Sequence, residues 1–266
     1  ALISHRLNLQ KDEWNVLVEE CDVPFAKLAV EDFKEMFNHL SALSQDFDNM
    51  RIPYINLYVI SNKAYKDSPL LEKDAIFEPT GEIRNTTFDL VIRYSSTPKM
   101  EDCSFTEYQV INDSFYCVFP ATERYAERYI YTTEGLEYHS LVNDEKKPID
   151  EAVEHLRYFL QLLFRKEDFR PGQLPILSRS MQNKSVIGLL PTGGGKSLTY
   201  QLAAFLQPGV SLVIDPLVSL MKDQYDGLRR TGIDCISYIN SDLDAKEKCE
   251  NERRLTNSQV QIIFLS

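Results

Sequence analysis

The chain has 266 residues, of which 43 % are hydrophobic and 26 % are charged, and its formal net charge is −11. These values are ordinary for a globular protein of one or two domains, and since no apolar run reaches the roughly 18 residues of a membrane span, we expect no membrane partner. The five cysteines are odd in number and form no Cys-x-x-Cys pair, which argues against a disulfide framework or a zinc site and favours a reduced, cytoplasmic setting.

The acidity belongs to the first half of the chain. Residues 1–150 contain 15 Lys+Arg and 27 Asp+Glu, a net charge of −12, whereas residues 151–266 contain 14 and 13, a net charge of +1. Because charges are screened beyond about 10 Å at ordinary salt, the acidic half does not exclude a nucleic-acid surface on the other half. The acidic half itself favours a protein partner.

Residues 1–145 predict a smaller, acidic α+β accessory domain with antiparallel strands. Apolar residues at helical spacing predict an amphipathic helix over Lys27–Leu43. Runs rich in Val, Ile, Phe and Tyr, separated by Pro, Asn, Asp and Gly, predict hairpin-linked strands. These runs are Ile55–Ile60, Phe88–Tyr94, Tyr108–Ile111, Phe115–Phe119 and Tyr129–Thr132.

The role of residues 1–145 stays open between three alternatives. The favoured one is a protein-docking or regulatory domain, because of its charge and its many aromatic residues. A DNA-guiding role is the second, since Tyr125, Tyr129, Tyr131 and Tyr138 could stack on bases, although core and hairpin packing also explains them. The third is a decayed nuclease with Asp89 and Glu107 on two strands; such sites need a Lys where Gln109 stands.

Residues 146–266 predict a second domain, of α/β class with a parallel sheet. A polar linker over 143–150 ends at Asp150, which can cap a helix whose apolar face is Val153, Leu156, Phe159, Leu160 and Leu163. Strands and helices then alternate, as in a parallel sheet covered by helices. Strands are predicted at Ser185–Leu190, Ser211–Asp215, Cys235–Ile239 and Val260–Leu265, and helices at Lys196–Leu206 and Ser219–Arg230.

A phosphate-binding loop follows the first of these strands, at Pro191-Thr192-Gly193-Gly194-Gly195-Lys196-Ser197. Consecutive glycines let backbone N–H groups converge where side chains would obstruct a phosphate. Lys196 supplies a charge for the β- and γ-phosphates of ATP, and the Ser197 hydroxyl can ligate Mg²⁺. The helix that begins here adds its positive end. The general P-loop pattern has Gly where this chain has Leu190, but Pro-Thr-Gly-x-Gly-Lys-Ser is the form found in superfamily 2 helicases.

Three ordered segments resemble motifs of the RecQ family of DNA helicases. They are Phe169-Arg-Pro-Gly-Gln173, Leu190-Pro-Thr-Gly-Gly-Gly-Lys-Ser-Leu-Thr-Tyr-Gln-Leu-Ala203 and Asp215-Pro-Leu-Val-Ser-Leu-Met-Lys-Asp-Gln224, with Asn240-Ser241 also in the expected place. The resemblance covers residues 160–266. It implies the first part of a RecA-like lobe that binds ATP and Mg²⁺ and acts on single-stranded or forked DNA, with 3′ to 5′ movement.

The resemblance also assigns nucleotide contacts. Gln173 stands where the family reads the adenine edge, and Arg170 stands where a cation packs on the base. Thr192 and the three glycines belong to the loop, with Lys196 and Ser197 as its catalytic pair and Ser197 as its metal ligand. The family has an aromatic residue where this chain has Lys166, so we expect weaker base stacking.

The third segment resembles the family's DNA-contacting motif. Ser219, Lys222 and Gln224 suit a grip on phosphates that is independent of base sequence; the alternative is that they are only solvated. The apolar residues of the same segment are predicted to be core: Leu217, Val218, Leu220 and Met221.

Hydrolysis further requires an Asp for Mg²⁺ and a Glu for water. The sequence reaches Ser266 without such a pair after a later strand, and Val18-Glu19-Glu20 fits a surface helix end better. Since it also lacks an initiating Met, we expect a fragment of a longer protein. The prediction is a RecQ-like helicase of the cytoplasm, nucleoid-associated if bacterial. The alternatives are an RNA-directed motor of the same superfamily and an ATP-binding switch in a repair or defence complex.

Overall fold

The computed structural model describes residues 12–19, 23–46, 51–60, 90–95, 109–111, 114–120, 135–231, 233, 235–256 and 260–266. Two compact units are present. The mixed-sheet unit comprises the described residues of 11–35 and 52–129, and the parallel-sheet unit those of 36–51 and 130–266. The α/β class that the sequence predicted is confirmed. The domain boundary between residues 145 and 146 stays a prediction.

The mixed-sheet unit contains five strands. β1 (Glu13–Glu19) runs parallel to both β2 (Tyr54–Ile60) and β3 (Leu90–Ser95). β5 (Ser114–Pro120) pairs antiparallel with β3 and with β4 (Gln109–Ile111), which gives the order β2-β1-β3-β5-β4. The antiparallel strands were predicted; the parallel pairing was not.

β1 corrects one expectation from the sequence. Val18 and Glu19 lie within this strand and not at the end of a surface helix. β1 is parallel to its neighbour on each side, and parallel strands tend to have continuous apolar runs without the alternation of a half-buried strand. Trp14 on this strand is fully buried, and its ring lies 5.6 Å from that of Phe33. Asp89, Glu107, Tyr125 and the strand predicted at Tyr129–Thr132 lie outside the described residues.

A helix, α1 (Val23–Leu43), leads into the parallel-sheet unit, where its last two turns bury Phe37, Leu40 and Leu43. The segment 135–149 packs beside these turns through a bridge between Ser44 and Tyr138. Tyr138 is fully buried, so the prediction that it could stack on bases is wrong. α2 (Asp150–Phe164) follows and buries four of its five predicted apolar residues. Its N-cap is Ile149, without a side-chain hydrogen bond, so the prediction that Asp150 caps it is wrong. Asp150 is the first helical residue, where the positive end of the helix dipole stabilises a carboxylate.

The remaining elements build a three-stranded parallel sheet with helices. α3 (Gln173–Met181) and α4 (Lys196–Leu206) precede β6 (Ser211–Ile214), α5 (Val218–Arg230), β7 (Ile236–Ile239), α6 (Ala245–Thr256) and β8 (Ile262–Leu265). The strand order is β6-β8-β7. The core beneath the sheet contains Phe205, Met221, Leu228, Ile236, Ile262 and Phe264.

Two predictions for this unit are wrong. Residues 185–190 form no strand, and Ile187 and Leu189 are 91 % and 90 % exposed. A strand needs a hydrogen-bonded neighbour, and in the described part of the chain none pairs with this segment. Leu217, Val218 and Leu220 are exposed as well, and only Met221 of the four predicted core residues is buried.

The helical period explains why Leu220 is exposed. At 3.6 residues per turn, Met221, Tyr225 and Leu228 share the face of α5 that packs on the core, whereas Leu220 lies about 100° away from it.

Within the described residues, no helix is both long enough and apolar enough to cross a membrane.

Candidate nucleotide-binding site

The loop at residues 191–197 is bent by its glycines. Gly193 and Gly195 have φ angles of 77° and 74°, in the left-handed region that favours glycine. The Gly194 N–H donates to the Pro191 carbonyl at 3.0 Å, which closes a tight turn. A Cβ atom on Gly194 would lie 2.9 Å from that same carbonyl oxygen. Backbone conformation therefore favours glycine at residues 193 and 195, and the close carbonyl favours it at residue 194.

α4 begins directly after this turn, with Gly195 as its N-cap. Glycine has no side chain that could cap the helix, so the N–H groups of the first turn stay open to an anion. Lys196 is exposed and, among the described residues, has no ion-pair partner. Ser197 is half-buried and Thr192 is exposed. Backbone N–H groups, a lysine and a hydroxyl thus converge on one place that suits a phosphate and a cation.

Ser197 also contacts the helix turn that follows it. Burial raises the pKa of the Tyr200 phenol, and hydrogen bonds with Ser197 and Gln201 partly oppose that rise. The Thr199 hydroxyl donates to the Lys196 carbonyl at 2.7 Å. The Thr199 hydrogen bond stabilises the first turn of α4, on which Ser197 stands.

Arg170 and Gln173 bind the loop from the side. Gln173 is buried, with 2 % exposure, and its Nε2 donates to the carbonyls of Gly194 at 3.1 Å and Gly195 at 3.2 Å. Its Oε1 accepts the Arg170 N–H at 2.8 Å. The Arg170 guanidinium donates to the Gly193 carbonyl. These two residues thus bind three consecutive loop carbonyls, and their predicted contacts with adenine stay predictions, for which the amide of Gln173 would have to exchange its present partners.

A cavity of about 400 Å³ opens beside the loop. It is lined by Gly195 and Ser197 at the loop, by Lys166, Asp168 and Arg170 on the segment before α3, and by Gln201, Gln224 and Gly227 on α4 and α5. Its size lies within the range of small-molecule sites. The cavity includes Lys166, the residue that stands where the family has an aromatic ring.

Asp168 is held in place at the rim of this cavity. The Phe169 N–H donates to its carboxylate at 2.8 Å, and Arg157 Nη2 lies 3.2 Å from it. The backbone hydrogen bond and the Arg157 charge lower the pKa of Asp168. Arg157 also pairs with Glu154. A negative charge thus lines the cavity together with Lys166 and Arg170.

The structure separates the three residues predicted to contact nucleic acid. Ser219 and Lys222 are exposed on α5. Gln224 is half-buried, and its Oε1 accepts a hydrogen bond from Gln201 Nε2 at 3.0 Å, which ties α5 to α4. The Asp215 carboxylate accepts the Leu217 N–H at 3.1 Å and so fixes the turn before α5. The contacts of Ser219, Lys222 and Gln224 with nucleic acid remain predictions. Gln224 lies between α4 and α5.

Gln201, Gln207 and Gly227 were not identified from the sequence. Gln201 stands within the second of the three motifs but was assigned no contact there, and Gln207 directly follows α4. Gly227 offered one local signal, because a glycine inside a helix is unfavourable and usually has a reason.

Residues 170–266 match the DEAD/DEAH box helicase family. The chain is 41 % identical over 116 residues to "ATP-dependent DNA helicase Q-like 4B" of Arabidopsis thaliana, a match that covers 43 % of this chain and 10 % of that protein. It is 34 % identical over 107 residues to "ATP-dependent DNA helicase RecQ" of Haemophilus influenzae, with 40 % and 17 % covered. It is 37 % identical over 112 residues to "ATP-dependent DNA helicase Q1" of Rattus norvegicus, with 42 % and 18 % covered.

These similarities confirm the resemblance to RecQ-family helicases that the three motifs predicted. The matched part spans only between 10 % and 18 % of the length of these three relatives. The site described above lies within or directly beside the matched residues.

Proposed function

We propose that this chain carries the nucleotide-binding part of a RecQ-like, ATP-dependent DNA helicase that moves 3′ to 5′ along single-stranded DNA. The observation that carries the proposal is the loop with two left-handed glycines at the start of α4, whose carbonyls are bound by Arg170 and Gln173. The similarity of residues 170–266 to proteins named as DNA helicases supports the same function.

ATP and Mg²⁺ fit the residues that are present. The open N–H groups at the start of α4 would hold the phosphates together with Lys196, which has no ion-pair partner among the described residues, and the Ser197 hydroxyl would hold Mg²⁺. Bound there, the cation would offset charge that develops on the phosphates. Arg170 and Gln173 position the loop and would contact the base.

The DNA contact is proposed for the exposed side of α5. Ser219 can donate to a phosphate and Lys222 can neutralise one, and neither is bound to another residue in the described part of the chain. The partner is single-stranded or forked DNA. For the acidic residues 1–145 we propose a protein partner, and for the whole protein a cytoplasmic location.

Replacement of Lys196 tests the proposal. In the intact protein, Lys196→Ala should abolish ATP hydrolysis stimulated by single-stranded DNA. Lys184→Ala is the matched control. Lys184 is also exposed, and its ammonium donates a hydrogen bond to the side chain of Gln182. DNA-stimulated hydrolysis at the wild-type rate by the Lys196 variant contradicts the proposal.

The same assay separates the alternatives. Stimulation by single-stranded RNA and not by DNA selects an RNA-directed motor. Binding of ATP without turnover, with or without either nucleic acid, selects an ATP-binding switch.

A further inference from the structure

Gly227 stands inside α5, two turns beyond its start. Its φ angle is not among the positive values of the described glycines, so the backbone does not require glycine there. A Cβ atom built on it would have no atom within 4 Å, so packing does not require glycine either. Glycine is nevertheless less favourable than alanine inside a helix. Neither the backbone nor the packing of α5 explains this residue.

The space in front of Gly227 belongs to the cavity beside the phosphate loop. The residue lines the same cavity of about 400 Å³ as Gly195 and Ser197. Phosphates bound at the start of α4 would leave the rest of a nucleotide to extend into this cavity. A side chain at residue 227 would occupy part of that space.

The walls near Gly227 have the chemistry of a site for a heterocyclic base. Leu198 and Leu228 contribute apolar surface, and Asp223 and Thr231 contribute polar atoms. Small-molecule sites combine apolar walls with a few polar groups that fix orientation.

We propose that Gly227 is a specificity-determining residue, which keeps the α5 wall of the cavity open for the base end of a nucleoside triphosphate. The proposal deepens the proposed function and rests on it, because the phosphates are taken to lie in the 191–197 loop. It assigns the base a second wall, on α5, in addition to the segment around Lys166 and Arg170. Glycine at residue 227 thus makes the helix less stable than alanine would, and it leaves more space in the cavity.

The test compares ATP with inorganic tripolyphosphate, a probe that has phosphates and no base. In the intact protein with Mg²⁺, Gly227→Leu should weaken ATP binding by about tenfold or more, measured by titration calorimetry. Its affinity for tripolyphosphate should stay within about twofold of wild type. Arg230→Leu, at an exposed site of the same helix outside the cavity, is the matched control and should change neither affinity.

Gly227→Ala provides a second readout that does not depend on a bulky side chain. Because alanine favours the helix, its melting temperature should rise, while its affinity for ATP should fall by about twofold to fivefold. A merely structural glycine would give the higher melting temperature without the weaker ATP binding.

Three outcomes overturn the inference: unchanged ATP affinity in Gly227→Leu, unchanged ATP affinity in Gly227→Ala, or equal losses for ATP and tripolyphosphate. Failure of the proposed function looks different. In that case the wild-type protein would bind no tripolyphosphate, or Lys196→Ala would bind it as well as wild type does.

Discussion

The side chain of Gln207 forms two reciprocal hydrogen bonds with the backbone of Leu136. The Leu136 N–H donates to Gln207 Oε1 at 2.9 Å, and Gln207 Nε2 donates to the Leu136 carbonyl at 2.9 Å. The same amide donates to the Met181 carbonyl at 3.2 Å. Gln207 directly follows α4, so the end of the helix that begins in the phosphate loop is attached to both the 135–149 segment and α3.

Gln207→Ala should therefore lower the free energy of unfolding by about 1–3 kcal/mol, because it leaves the Leu136 N–H without its partner in a partly buried place. Denaturant unfolding measures this change. Gln182→Ala is the control, since the side chain of Gln182 bonds to Lys184 at an exposed site, and we expect a loss below about 0.5 kcal/mol. Equal losses in the two variants would show that the Leu136 pair contributes nothing.

Tyr138 should make stability depend on pH in the alkaline range. Its side chain is fully buried, its hydroxyl donates to the Leu206 carbonyl, and burial raises the pKa of its phenol well above the ordinary value of 10.0. The native state therefore keeps the proton after the unfolded chain has lost it. The stability from this difference is fully present below about pH 10 and is lost as the pH rises further.

The measurement is the free energy of unfolding of wild type and Tyr138→Phe as a function of pH. Near pH 7 the variant should be less stable by about 1 kcal/mol, because it lacks the hydrogen bond to Leu206. Above pH 10 the advantage of the wild type should shrink by about 1.4 kcal/mol per pH unit. A difference that is constant up to pH 11 would contradict the role assigned to the buried phenol.

Two glycines of the loop allow strain and collision to be separated. Gly193 and Gly195 have nearly the same positive φ angle, so alanine at either should cost about 1–2 kcal/mol of backbone strain. A Cβ atom on Gly193 meets nothing within 4 Å, whereas one on Gly195 collides with Nε2 of Gln173. Gly195→Ala should thus lose about 1 kcal/mol more than Gly193→Ala, because Gln173 must give up a hydrogen bond.

Denaturant unfolding of both variants measures this difference. Gly195→Ala should also bind ATP more weakly than Gly193→Ala, because displaced Gln173 no longer holds the loop carbonyls. Equal stabilities and equal ATP affinities would exclude the role of Gln173 in positioning the loop.

Lys222→Ala should weaken the binding of single-stranded DNA without changing ATP affinity. If Lys222 neutralises one phosphate, the negative slope of log affinity against log salt should become shallower, by about 0.7–1. Ser219→Ala should weaken binding with no change in slope, since a hydroxyl releases no counterion. Fluorescence anisotropy at several salt concentrations measures both.

Arg230→Ala is the control for Lys222, because Arg230 is an exposed cation at the other end of α5. An unchanged salt slope in Lys222→Ala, or an equal change in Arg230→Ala, would place the DNA contact elsewhere.

Local sequence patterns predicted most helices and strands of residues 196–265. The bounds of α4 were predicted without error, and α5, β6, β7 and β8 were placed to within one or two residues. α3 was missed although Gln173 had been singled out. Its Pro175 resembles a helix breaker, but proline is tolerated in the first turn of a helix, where this residue lies.

The sequence by itself determined the phosphate loop and its neighbours, because glycines, a lysine and a helix start act through local backbone geometry that needs no distant partner. It therefore also determined the resemblance to RecQ-family helicases, and residues 170–266 match the DEAD/DEAH box helicase family. Only the tertiary structure decided which loop carbonyls Gln173 Nε2 binds and where the amides of Gln207 and Gln224 bind, since these partners lie at least 21 residues away along the chain. It also decided that residues 185–190 form no strand and that Gly227 faces open space. Strand pairing and the shape of a cavity depend on which helices and strands pack together, and a local sequence pattern does not contain that information.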